Sequence, residues 1–189
     1  KFKFDKDLFP NLDKAHISQA TYYRLHIEKY LDEEIDFITY LDGDIICFSN
    51  PINAINTEIQ KLKNKNYVIS ANSESTVLDA VERLGNKSEK YFNAGVLIIN
   101  YKEWIKKSTT KNLLSLLAEE KRELKFWDQD LLNIYFDGSY SEMSKYLNYK
   151  LNIEAFKRVS KSKLNKLHKN GMIFIHYSGK FKPWSVKGI

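Results

Sequence analysis

Three short stretches of this chain carry side chains whose types and spacing could do chemistry. Asp42-Gly43-Asp44 sets two carboxylates around a glycine, directly after the apolar run Phe37-Ile38-Thr39-Tyr40-Leu41. Hard oxygen ligands of this kind suit Mg²⁺ or Mn²⁺, and a glycine lets the backbone bend close to a ligand. Asp-Gly is equally a common turn pair, and Asp44 could simply cap such a turn. His176 closes a second apolar run, Met172-Ile173-Phe174-Ile175. A histidine there is either a satisfied structural residue or a metal ligand. If His176 meets Asp42 and Asp44, two oxygens and one imidazole leave positions open for phosphate oxygens, and the nitrogen shifts preference from Mg²⁺ toward Mn²⁺. Soon after it, Gly179 allows an amide to face a phosphate and Lys182 can reach one as a point charge. The third stretch is Asp128-Gln129-Asp130. Its carboxylates could grip sugar hydroxyls, or could be acids placed in a first helical turn to suit the dipole.

The elements that must position these residues follow from the alternation of short apolar runs with helical patterns. That alternation predicts an α/β domain with a mostly parallel sheet, in which ligands gather beyond the carboxyl ends of the strands. Residues 18–31 read as a helix N-capped by Ser18, with Leu25, Ile27 and Leu31 on its buried side. Strands are expected over 37–41, 45–48, 68–71, 95–99 and 172–175. Pro51 is placed to open a helix through about Lys63, residues 101–120 read as mostly helical, and Trp127 opens a helix to about Phe136. The polar stretch from Asn72 to Lys90 is expected to be a mobile excursion whose ends close over a ligand.

Composition bounds the possibilities. With 189 residues, 43% hydrophobic and 14% aromatic, the chain can bury the core of one domain, which excludes disorder. The single cysteine, Cys47, excludes an internal disulfide framework and suits a reducing compartment, so the cytoplasm is expected. No apolar run approaches the ~20 residues needed to cross a bilayer. The net charge of +6 is uneven: residues 145–189 hold eleven Lys and Arg against the one acid Glu154. That basic quarter must face something anionic or simply solvent.

Five blocks in order resemble glycosyltransferase family eight, the retaining group that includes bacterial lipopolysaccharide glucosyl- and galactosyltransferases and the glycogenins. They are Ser18-Gln19-Ala20-Thr21-Tyr22-Tyr23-Arg24-Leu25, Tyr40-Leu41-Asp42-Gly43-Asp44, the run from Tyr91 to Asn100, Asp128-Gln129-Asp130-Leu131-Leu132-Asn133, and His176-Tyr177-Ser178-Gly179 with Lys182-Pro183-Trp184. The resemblance implies a Rossmann-like nucleotide-sugar transferase fold over residues 1–189. It also implies transfer of glucose or galactose from a UDP-hexose donor to a carbohydrate or lipid-linked glycan acceptor, in bacterial surface glycan or lipopolysaccharide synthesis. It assigns Asp42, Asp44 and His176 to a Mn²⁺ that bridges the UDP diphosphate. Arg24, Asp128 and Gln129 become donor-sugar contacts, with Asp128 and Gln129 nearest the reaction. Asn93 and Ala94 line the donor pocket, and Gly179 with Lys182 holds the leaving diphosphate. Members of the family usually begin with a uridine-binding βα unit. Here the first block starts at Ser18, so the domain is expected to lack that N-terminal part, with residues 1–8 as its last strand.

Two other readings compete. Strand-Asp-x-Asp also begins metal-dependent phosphohydrolases, but those show a Thr or Ser soon after the second aspartate, where this chain has Ile45-Ile46-Cys47. The basic quarter could instead mark a non-enzymatic anion-binding module. No nucleic-acid partner is expected if the transferase reading holds. The same lysines would then suit peripheral contact with an anionic membrane at its inner face, where a lipid-linked acceptor lies.

Overall fold

The computed structural model describes residues 19–74, 78–151 and 160–178, with Lys182 and Trp184. The expected cap Ser18, the strand at residues 1–8 and Gly179 lie outside the described residues.

The described part begins with a 3-10 helix, Gln19–Lys29, broken at His26 (φ −105°, ψ 25°) where a continuous helix was expected. Thr21, Tyr22 and Tyr23 lose side-chain freedom in an α-helix, and packing decides the outcome, with Tyr22 and Leu25 fully buried. In order there follow β1 (Phe37–Leu41), β2 (Ile45–Cys47), α1 (Ile52–Lys65), β3 (Ile69–Ser73), α2 (Leu78–Leu84) and β4 (Phe92–Asn100). Then come α3 (Tyr101–Lys106), α4 (Thr109–Glu119), α5 (Trp127–Phe136), β5 (Ser141–Glu142), β6 (Tyr149–Lys150), α6 (Lys161–Lys169) and β7 (Phe174–His176). Pro51 caps α1 as expected, and that helix stops where Asn66 turns left-handed. The helix expected over 101–120 is split at Ser108, whose φ of 52° ends α3 before α4 begins.

Among the described residues two sheets form, in the orders β1-β4-β3-β5 and β2-β7-β6. The α/β class holds, but the expected parallel sheet needs correction. Among the described residues three of the five pairings are antiparallel: β1 with β4, β3 with β4, and β2 with β7. The crossover through α1 does set β1 and β3 running the same way, but β4 inserts between them in the opposite sense.

Strand β4 is buried along nearly its whole length. Its Leu97 and Ile99 join the larger core with Tyr22, Trp104 and Phe136, while Val96 and Ile98 face the second cluster with Leu62 and Phe174. The stretch from Asn72 to Lys90, expected as an excursion, is pinned to α5 in its described part. Arg83 forks onto Asp130 at 3.0 and 3.2 Å, and Asn86 Nδ2 donates to the Asn133 carbonyl at 3.0 Å.

Candidate functional site

Strand register builds the site. Asp42-Gly43-Asp44 is the crossing point where the chain leaves β1 in one sheet and enters β2 in the other. In the first sheet Leu41 pairs with Val96, and the Asp42 amide donates to the Gly95 carbonyl at 2.8 Å, which brings Asp42 beside the start of β4. In the second sheet Ile45 pairs with His176, and the Tyr177 amide donates to the Asp44 carbonyl at 3.0 Å, which brings the imidazole beside Asp44. Two antiparallel pairings thus bring His176 to two aspartates that lie more than a hundred positions before it in the sequence.

Asp42, Asp44 and His176 each offer one ligand atom, and these atoms all lie within 4.8 Å of one another. His176 Nε2 is 3.3 Å from Asp44 Oδ1, and the ring is buried. Two carboxylates and an imidazole at this spacing suit a single divalent cation. Lys182 Nζ lies 2.6 Å from the other Asp44 oxygen and donates to the Tyr177 carbonyl at 3.0 Å. Burial alone would raise the Asp44 carboxyl, but its close contacts with His176 and Lys182 hold it at about 2.

Next to this cluster opens a cavity of about 470 Å³, within the range of small-molecule sites. Its wall includes Arg24, Tyr40, Asp42, Gly43, Asp44, Asp128, Gln129 and Lys182, with Phe126, Trp127 and Trp184 supplying aromatic surface. Arg24 is the pivot. Its Nη2 is 3.0 Å from Asp42 Oδ1, its Nε is 2.5 Å from Asp128 Oδ2, its Nη1 donates to the Ala94 carbonyl, and its guanidinium lies 4.4 Å from the centre of the Tyr40 ring. One cation therefore serves two carboxylates. Burial works against the Arg24 charge, yet Asp128 and Asp42 outweigh it and hold its pKa above the ordinary value. Asp128, the deeper acid, is pushed up to about 7 by burial despite Arg24, with Asp42 adding to the push.

Gln129 is held by both ends of its amide. Its Oε1 accepts from the Ala94 amide at 2.9 Å and from Asn93 Nδ2 at 3.2 Å, and its Nε2 donates to the Tyr91 hydroxyl at 2.9 Å. Asn93 and Ala94, expected on the pocket wall, stand behind Gln129 and are buried. Asp130, expected among the carboxylates that could grip a sugar, is turned away and takes Arg83, the Tyr91 hydroxyl at 2.7 Å and the Phe126 amide at 2.9 Å. Residues i and i+2 of a helix do not share a face, so only one of these two acids can reach the pocket.

Other members of the site escaped the sequence reading. The Tyr40 hydroxyl donates to Asp42 Oδ1 at 2.7 Å, and Glu74 Oε1 accepts from Asn93 Nδ2 at 2.9 Å and from Lys150 Nζ at 2.8 Å. Asn148 Oδ1 lies 3.0 Å from His176 Nδ1. Trp127 opens α5 with φ of 43°, a strained state for a bulky residue of the kind that gathers at functional sites. Tyr40 stands two positions before Asp42 and so shares its side of an extended chain, the one signal that could have found it. Gly43, expected to allow close approach, has nothing within 4 Å of where a Cβ would sit; the tight glycine is Gly95, where a Cβ would overlap the His176 ring.

Comparison with known proteins bears on the family and the fold. The chain is 31% identical over 170 residues to a lipopolysaccharide 1,2-glucosyltransferase of Escherichia coli, covering 87% of this chain and 49% of that protein. It superposes on an active-site mutant of LgtC with a TM-score of 0.73 and 26% identity, covering 94% of this chain and 65% of that one. It also superposes on the galactosyltransferase LgtC in complex with donor and acceptor sugar analogs, with a TM-score of 0.65 and 27% identity over 94% of this chain and 64% of that one. The chain spans about half the length of the curated relatives it matches. The family model described as glycosyl transferase family 8 matches residues 2–188, so every residue that lines the pocket lies inside the match, and the chain belongs to that family.

Proposed function

We propose that this chain is the catalytic core of a retaining transferase that moves a hexose, glucose or galactose, from a UDP-sugar to a carbohydrate acceptor. The observation that carries the reading is the meeting of Asp42, Asp44 and His176 beside a cavity that Arg24, Asp128 and Gln129 also line. Family membership favours it over the phosphohydrolase and the anion-binding module. So does the neighbouring LgtC structure with donor and acceptor sugar analogs.

Asp42, Asp44 and His176 would hold a Mn²⁺, for which one imidazole beside two carboxylates is a suitable donor set. When bound, that cation supplies charge stabilisation to the departing diphosphate. Lys182, already 2.6 Å from Asp44, adds a second cation on the same side of the site. Arg24 keeps Asp42 and Asp128 in place, and Asp128 presents a carboxyl to the donor sugar. Gln129 faces the cavity with its carbonyl oxygen already accepting two hydrogen bonds. An amide engaged in that way makes a poor nucleophile, which supports attack from the face that the diphosphate leaves, with the diphosphate taking the acceptor proton.

A lipid-linked glycan at the inner face of a membrane fits the basic quarter, of which Lys161, Lys166 and Lys169 are exposed on α6. No helix among the described residues is long and apolar enough to cross a membrane.

Calorimetric titration of UDP in the presence of Mn²⁺ or EDTA, with Asp44→Asn and His176→Ala variants, tests the reading. Metal-dependent binding that both variants abolish is expected. UDP binding that is indifferent to metal and to both substitutions would overturn it.

A further inference from the structure

The described residues join the metal-site histidine to the sugar side of the pocket through a chain of side-chain amides. Asn148 lies 3.0 Å from His176 Nδ1 through its Oδ1 and 2.9 Å from Asn93 Oδ1 through its Nδ2. It is buried, and it ends the turn before β6, whose parallel pairing sets Tyr149 beside Ile175 and Lys150 beside His176.

Two backbone amides fix the direction of every bond in this chain. The Gly95 amide can only donate, and it points at the Asn93 side-chain atom 3.0 Å away, so that atom is the carbonyl oxygen. The Asn148 atom facing the same oxygen must then be its NH₂ group, which leaves its carbonyl oxygen facing the imidazole. The Ala94 amide fixes Gln129 Oε1 as an acceptor in the same way, which agrees with the NH₂ of Asn93 pointing at it. An oxygen facing Nδ1 requires the ring proton to sit on Nδ1.

We propose that Asn148 is a positioning residue that holds His176 as its Nδ1–H tautomer, so that the Nε2 lone pair is aimed at Asp44 and the candidate metal position. The inference rests on the proposed metal role of His176 for its functional meaning, though not for its chemistry. Free imidazole has no such bias toward Nδ1–H, and with Nδ1 protonated it is Nε2, 3.3 Å from Asp44, that is left to take a cation. Because the same amide grips Asn93, and Asn93 grips Gln129, one residue aligns the metal ligand with the pocket wall.

The test is nitrogen-15 NMR of His176 in the metal-free protein, at a pH where its spectrum shows a neutral ring, with Asn148→Leu and Asn148→Asp variants. Wild type should show the Nδ1–H tautomer. Asn148→Leu should lose it and bind Mn²⁺ roughly 10–100-fold more weakly. Asn148→Asp keeps an acceptor toward the ring, so it should retain the tautomer and most of the Mn²⁺ affinity. Circular dichroism confirms that each variant is folded, and if Asn148→Leu is not, the wild-type and Asn148→Asp spectra decide the matter. An Nε2–H ring in wild type, or an unchanged tautomer in folded Asn148→Leu, overturns the inference. If the tautomer depends on Asn148 but wild type binds no Mn²⁺, the metal reading fails and the positioning role stands.

Discussion

Arg24 Nε lies 2.5 Å from Asp128 Oδ2, with both side chains almost wholly removed from solvent. The same guanidinium is 3.0 Å from Asp42, so the loss of this one cation strands two acids. Breaking a buried pair by removing one partner costs about 3–5 kcal/mol. We expect Arg24→Met to lower unfolding free energy by about that amount in urea titration. Adding Asp128→Asn should recover part of the loss. A cost near zero for Arg24→Met would show that the pair is not formed in solution.

Asp128 also gives stability a pH dependence of definite sign. Its folded pKa is about 7 against an ordinary 3.8, so between those values the folded chain holds a proton that the unfolded chain has released. The stabilisation from this group is therefore complete below the unfolded value and is lost as pH rises through about 7. The gap corresponds to at most about 4 kcal/mol. Measured between pH 4.5 and 7.5, wild type should lose stability relative to Asp128→Asn as pH rises. A constant difference between the two proteins would mean that Asp128 stays ionised beside Arg24 throughout.

Two glycines of the site should respond differently to a methyl group. At Gly95 a Cβ overlaps the His176 ring and comes within 3.0 Å of Asn93 Oδ1, whereas at Gly43 it meets nothing within 4 Å. Gly95→Ala is expected to cost about 1–3 kcal/mol by overpacking and to abolish Mn²⁺ binding by displacing the imidazole. Gly43→Ala should leave thermal stability unchanged. Equal thermal midpoints for the two variants would contradict this assignment.

Arg83 and Asp130 form a fork away from the cavity, with Asp130 fully buried. Arg83→Met should cost about 3–5 kcal/mol in urea unfolding while leaving the affinity of the folded protein for UDP unchanged. A donor-binding defect at full stability would return Asp130 to the pocket.

Much of the architecture was legible locally. The strand 37–41 ahead of Asp42, the opening of α1 at Pro51 and the span of α5 from Trp127 to Phe136 all appear where apolar periodicity and capping signals put them. The stop at Ser108 and the break at His26 were not legible, because side-chain packing set those backbone states.

By itself the sequence determined the chemical inventory: an Asp-x-Asp at a strand end, a histidine closing another strand, an acid pair opening a helix, and a resemblance that ordered them. Tertiary structure alone decided which of these act together. Insertion of β4 between β1 and β3 turned an expected mostly parallel sheet into a mixed one and brought Gly95 against Asp42. The pairing of Ile45 with His176 delivered the imidazole to Asp44. The helical face separated Asp128 in the pocket from Asp130 on Arg83. The roles of Asn148 and Glu74 could not be seen, since neither stands near its partners in the chain. A hydrogen bond is specified by distance and direction in three dimensions, and side chains far apart in sequence acquire both only when the strands that carry them take their register.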